Sequence, residues 1–169
     1  RSKLRPLVGS RAIWLLSLAF VVCGVTTTGF VETHVVALAV ERGESVQTGA
    51  FAFSVLSACN GLGMLIAGWL SDRVSRSLTL SLIFAVRGLS FLLLLWNNSQ
   101  AALFAFAVIF GLVDYSVVPP VVSLVGSHAG QHTVGLGVRI LLAWHSLAAA
   151  GGSYFGGVIY EATSNYNMA

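Results

Sequence analysis

Four side chains able to do acid, base or anion-binding chemistry sit deep inside long apolar runs: Asn60, Arg87, Asp114 and His145. A carboxyl group takes up and releases a proton, an imidazole titrates near neutrality, and a guanidinium or an amide offers donors to an anion. At 1.5 Å per helical residue, Asn60 lies about 16 Å into its run, Arg87 and His145 about 15 Å, and Asp114 about 20 Å from the outer face. If such runs cross a bilayer, a charge at that depth costs at least about 2.5–3.5 kcal/mol, so it must face protein or a watery cavity. Arg87 and Asp114 differ by only about 5 Å in depth. That spacing fits an ion pair between neighbouring helices, a share in anion binding or proton coupling, or two separate water-exposed positions. His145 is equally a proton partner or an ordinary interhelical donor.

Other residues extend this set. Glu32 and His34 fall near the outer end of the first apolar run. They would line the mouth of a cavity if the helix unwinds at Thr26-Thr27-Thr28-Gly29, and otherwise they are interfacial polar residues. Pro119 and Pro120 remove two backbone donors in the fourth run and predict a kink that frees carbonyls near Ser116. Ala148, Gly152 and Gly156 recur every fourth residue, a small-residue face for close helix contact. Arg139 is only a few residues into its run and is expected to snorkel.

The elements that must position these groups follow from composition. The chain has 169 residues, 56% of them hydrophobic and 9% charged, with mean hydropathy +0.86. A soluble domain carries roughly a quarter charged residues, so this composition excludes an ordinary water-soluble core and a disordered chain. Apolar runs of the length that crosses about 30 Å of hydrocarbon occur near residues 12–40, 49–70, 78–95, 101–126 and 135–160. They lack strand alternation, and lipid offers the backbone no partners, so five transmembrane helices in an all-α, polytopic membrane protein are expected. Net charge is +3, but the basic residues are scattered between apolar runs, so nucleic acid is not an expected partner.

Lys and Arg placement predicts orientation. Arg1, Lys3, Arg5, Arg11, Arg73, Arg76 and Arg139 share one side, against Arg42 on the other, which puts the start of this piece in the cytoplasm. Trp14, Trp69, Trp96 and Tyr160 fall near run ends, where amphipathic rings sit at headgroup level. Cys23 and Cys59 lie inside apolar runs without CxxC spacing and read as inert thiols. His128 and His132 have metal-like spacing but no third ligand, so neither a metal nor a cofactor is expected. Asn97-Asn98-Ser99 is a glycosylation sequon on the predicted outer side, meaningful only in a eukaryotic secretory host.

Between the second and third runs stands GWLSDRVSRSL, residues 68–78. Positive-inside anchoring needs only Arg73 and Arg76. Gly68 would let helices approach closely, and Asp72, at the start of the next helix, would cap it and pair with the guanidinium groups, so that the cluster holds a cytoplasmic gate. The segment resembles the signature G-x-L-[AS]-D-R-x-G-R-[RK] that joins the second and third helices of each half in the major facilitator superfamily. Gly68, Leu70, Ser71, Asp72, Arg73 and Arg76 match it, while Ser75 and Ser77 replace a Gly and a basic residue. Residues 29–34, 110–120, His145 and Gly151-Gly152 resemble helices seven, ten and eleven of bacterial members, nearest to the monocarboxylate-transporter-like and oxalate/formate-antiporter-like group.

This resemblance implies a partial C-terminal six-helix bundle over residues 1–169, about helices seven to eleven, lacking the N-terminal half and the last helix. Helix nine of such proteins usually sits outside the cavity, which ranks Arg87 below Asp114. The implied function is a secondary active transporter in the cell membrane, moving a small solute by alternating access, with proton coupling or antiport. The solute would be an organic anion met by Arg87, His145 and Asn60, with Asp114 or Glu32 as proton site and His34 at the pathway. An intramembrane enzyme using His145 with Asp114 or Glu32, and a non-transporting scaffold, are the competing readings; no recognised catalytic motif supports the first.

Overall fold

A computed structural model describes Leu7 and residues 9–163; Arg1, Lys3 and Arg5 of the predicted cytoplasmic set lie outside the described residues. Five helical spans cross-pack, Arg11–Glu41, Val46–Ser71, Arg76–Trp96, Gln100–Ala129 and Val134–Ala162, each long and apolar enough to cross a membrane. No strand occurs among the described residues. The first span comprises α1 (Arg11–Gly24), a π-helical segment (Val25–Val31) and α2 (Glu32–Glu41). The second is α3 (Val46–Ser71) and the third α4 (Arg76–Trp96). The fourth comprises α5 (Gln100–Asp114), a 3-10 turn (Tyr115–Val117) and α6 (Val118–Ala129), and the fifth is α7 (Val134–Thr163).

Helix starts follow local chemistry. Ser45, Ser75 and Ser99 cap α3, α4 and α5, their hydroxyls accepting from the backbone of Thr48, Leu78 and Ala102 at 3.0, 3.3 and 3.2 Å. Gly43 and Gly130 reverse the chain at φ of 83° and 84°, a region that a Cβ disfavours. At the end of α4, Arg42 donates through Nη2 to the carbonyl of Leu94 at 2.5 Å, satisfying an orphan acceptor where the helix dipole is negative.

The first span packs along the fifth, the second along the fourth, and the third also leans on the fourth. Close approach needs glycine at specific crossings. A Cβ on Gly63 would collide with the carbonyl of Leu112, and one on Gly152 would lie 3.1 Å from the Cα of Gly29. The Ala148, Gly152 and Gly156 face therefore does pack, against Gly24, Val25, Gly29 and the His34 ring. Gly68 differs from expectation: a Cβ there meets nothing within 4 Å, so it mediates no close approach among the described residues.

Two apolar clusters occupy the ends of the bundle. One gathers Phe20, Val121, Val125 and Leu141, and the other Leu38, Leu56, Phe106 and Phe110. Within the second, Phe106 stacks on Phe110 at 5.0 Å, and Phe91 meets both at 5.5 Å, tilted to one and edge-on to the other. Helix interiors gain from Ala over Gly by up to about 1 kcal/mol, whereas a clash inside a packed crossing costs about 1–3 kcal/mol. Gly63→Ala is thus expected to lower the unfolding temperature of the detergent-purified protein, and Gly88→Ala, where a Cβ meets nothing, to leave it level or higher; differential scanning fluorimetry reads both.

Candidate functional site

Cys23 and Thr27 are one turn apart on the first span, and both face inward. The third span brings Arg87 to them and the fourth brings Asp114, each only 2% exposed. Arg87 Nη2 meets Asp114 Oδ1 at 3.0 Å and donates to the backbone carbonyls of Asp114 and Val113 at 2.5 and 3.3 Å. Its Nη1 donates to Thr27 Oγ1 and lies at the same 2.9 Å from Cys23 Sγ. Thr27 spends its single hydroxyl proton on Asp114 Oδ1 at 2.7 Å. The faces of Phe84 and Phe110 lie 5.6 and 5.3 Å from the guanidinium carbon, completing its enclosure. Of the three arrangements open for Arg87 and Asp114, the structure adopts the interhelical ion pair.

The remaining two spans complete the cluster. Asn60 of the second lies within electrostatic reach of Asp114, and His145 of the fifth within reach of Cys23. His145 also meets Phe20 edge-on at 6.2 Å. Four buried atoms here lack a hydrogen-bond partner: Asn60 Oδ1, Arg87 Nε, Asp114 Oδ2 and His145 Nδ1. A cavity of about 50 Å³ adjoins the last two, lined by Cys23, Thr27, Asp114, Tyr115 and His145 among others. That volume suffices for water, which buried polar groups recruit when protein partners are absent.

The backbone yields where these side chains meet. The first span does not unwind at 26–29; it loosens into π-helix over Val25–Val31. Threonine hydroxyls take up part of the change, Thr26 bonding Val22 O at 2.9 Å and Thr33 bonding Thr28 O at 2.6 Å. Single π turns interrupting α-helix cluster at functional sites. In the fourth span, Pro119 and Pro120 fall in the first turn of α6, where missing donors cost little, and the chain just ahead tightens to 3-10 helix. Ser116 Oγ bonds back to Leu112 O at 2.5 Å.

The first span also brings Glu32 and His34 to neighbouring spans. Tyr115, the neighbour of Asp114 in mid-span, donates to Glu32 Oε1 at 3.2 Å. His34 is buried on the fifth span, Nε2 3.3 Å from Ser153 O and packed on Gly156, so it joins helices.

The turn after α3 also differs in detail. Asp72 follows α3 rather than starting the next helix, and Ser75 caps α4. Asp72 forms no ion pair among the described residues; instead Arg73 stacks on Trp69 at 4.3 Å, while Arg76 opens α4 and is exposed. Arg139 is exposed, as its expected snorkelling needs. Thr27, Cys23 and Tyr115 are the members the sequence did not single out. The i, i+4 spacing of Cys23 and Thr27 beside the threonine run was the available signal.

Removing one partner of a buried ion pair strands a charge and costs about 3–5 kcal/mol, whereas replacing both by apolar groups is often neutral. Arg87→Met alone is therefore expected to collapse membrane expression and thermal stability, and Arg87→Met with Asp114→Leu to recover most of both, read by fluorescence-detected size exclusion and a melting curve.

Comparison with known proteins agrees with this architecture. Residues 14–168 match the Major Facilitator Superfamily. The chain is 32% identical over 165 residues to the uncharacterized MFS-type transporter YcxA of Bacillus subtilis, covering 93% of this chain and 39% of that protein. It is 28% identical over 121 residues to an MFS-type transporter of Gibberella moniliformis, covering 69% of this chain and 28% of that one. No solved structure matches it significantly. The chain spans less than two fifths of either relative's length. With five apolar spans packed around a charged centre, it is a multi-pass membrane protein and belongs to the major facilitator superfamily.

Proposed function

We propose that the chain forms about helices seven to eleven, the C-terminal part of a secondary active transporter that moves a small solute across the cell membrane by alternating access. One observation carries this reading: all five spans converge on one polar centre, with Asp114 Oδ2 and His145 Nδ1 unpartnered beside a cavity. A scaffold gains little from that arrangement, since buried charge is a poor source of stability. An enzyme would need an accessible nucleophile or a metal aligned with it, and the Cys23 thiol is buried against Arg87. A carrier uses such groups to bind solute or proton and shift populations between states.

In this reading Asp114 is the proton site, and His145, Asn60 and Glu32 line the pathway. Thr27 and Arg87 hold Asp114 in register. His34 and the small-residue face of α7 keep the first and fifth spans moving together. Gly68, Asp72, Arg73 and Arg76 act at a cytoplasmic gate, whose partners for Gly68 and Asp72 would come from the other half of the transporter. The loosened turn before Glu32 and the tightened one before Pro119 are the places where the first and fourth spans bend. The start of the chain lies in the cytoplasm, by the distribution of Lys and Arg. The resemblance to monocarboxylate and oxalate/formate carriers points to an organic anion, for which Asn60 and His145 would be the donors since Asp114 already occupies Arg87, but the net negative charge of the centre disfavours that class.

Proteoliposomes holding the full-length transporter should accumulate a labelled small solute, from a panel of monocarboxylates and primary amines, faster when a pH gradient is imposed. Asp114→Asn combined with Arg87→Met, which leaves no stranded charge, should abolish the response to the gradient. Uptake whose gradient response survives that change removes Asp114 from the mechanism.

A further inference from the structure

Charged side chains more than two helical turns inside a span are few among the described residues: Glu32, Arg87 and Asp114. Arg87 and Asp114 are sealed, each 2% exposed, whereas Glu32 is only half-buried and its partner Tyr115 is 42% exposed. Tyr115 is the only hydrogen-bond partner of the Glu32 carboxylate among the described residues. Hydrocarbon cannot take a carboxylate at that depth, so the side on which Glu32 and Tyr115 open faces water, solute or polar protein. By contrast, Leu18, Leu62, Leu89 and Leu147 are exposed apolar groups suited to lipid or a neighbouring helix.

The charge balance behind this opening has a definite sign. Glu32 and Asp114 contribute two negative charges and Arg87 one positive, which leaves one negative charge when His145 is neutral. Both terminal nitrogens of Arg87 are occupied by Asp114, Thr27, Cys23 and Val113, which leaves only its buried Nε without a partner in this centre. Glu32 lies within electrostatic reach of Asp114, Tyr115 and His145. Asp114, almost wholly buried, keeps Oδ2 unpartnered beside the cavity that Tyr115 and His145 also line. An uncompensated negative charge in a site of low dielectric attracts a cation and repels a carboxylate.

We propose that Glu32 and Tyr115 form a subsite for a cationic group of the transported solute, a protonated amine in the simplest case, rather than for the carboxylate of an organic anion. The inference rests on the transporter reading and names the solute class. The phenol fixes one carboxylate oxygen and leaves the other for an ammonium, while Asp114 behind supplies further negative potential.

Two probes of matched shape and opposite charge test it: benzylammonium and benzoate, titrated calorimetrically into the purified full-length transporter. Benzylammonium is expected to bind in preference to benzoate. Glu32→Gln should weaken it about tenfold or more, Glu32→Asp should restore part of the loss, and Tyr115→Phe should cost about two- to fivefold. Preference for benzoate, binding of neither probe, or benzylammonium affinity indifferent to both Glu32→Gln and Tyr115→Phe overturns the subsite. Should Glu32→Gln not fold, Tyr115→Phe decides alone. Because binding is read without transport, benzylammonium binding with no uptake in proteoliposomes defeats the transport reading by itself. Uptake with benzoate-selective binding defeats only the subsite.

Discussion

The structure depends on the ion pair between Arg87 and Asp114, two charges 3.0 Å apart in the middle of a bundle whose surroundings are hydrocarbon or packed phenylalanine. Neither charge could be left alone at that depth, so the third and fourth spans are tied in register by the cost of separating them. Thr27 bonds both partners at once, through its hydrogen to the carboxylate and its oxygen to the guanidinium. That places the first span in the same constraint, and the apolar clusters pack on either side of the polar layer.

Backbone irregularity sits where this layer is built. Thr27 lies inside the π-helical segment, and Asp114 immediately precedes the 3-10 turn. A regular α-helix presents side chains every 100°, and meeting several partners at one depth asks for a local change of that angle. Glycine handles the opposite problem. At Gly63 with Leu112 the backbones come so near that a methyl group would not fit, and at Gly29 with Gly152 one would be crowded. In lipid, where no hydrophobic force brings helices together, such contacts and the buried polar bonds supply much of the cohesion.

Much of the scaffold was legible beforehand. Five apolar runs became five spans with ends displaced by a few residues, because the thickness of hydrocarbon sets how long a span must be. The depth of Arg87 and Asp114 was readable in the same way, by counting residues at a fixed rise. The partner of each was not, since depth says nothing of direction around the helix axis. Cys23 looked like an inert thiol for the same reason: an apolar run conceals which face turns inward. Glu32 and His34, two residues apart, were read together, as lining a cavity mouth or as interfacial polar residues. They lie on different sides of their helix, one toward Tyr115 and the other against the fifth span.

By itself the sequence determined the solvent, the number of crossings, the family, and which polar groups had to be sheltered, since all of these follow from residue type and spacing along one dimension. Only the tertiary structure decided that Asp114 claims Arg87, that Thr27 joins them, and that Glu32 is the deep charge left open. Those choices depend on helix rotation and on which spans are neighbours, quantities settled by packing between segments as much as 120 residues apart.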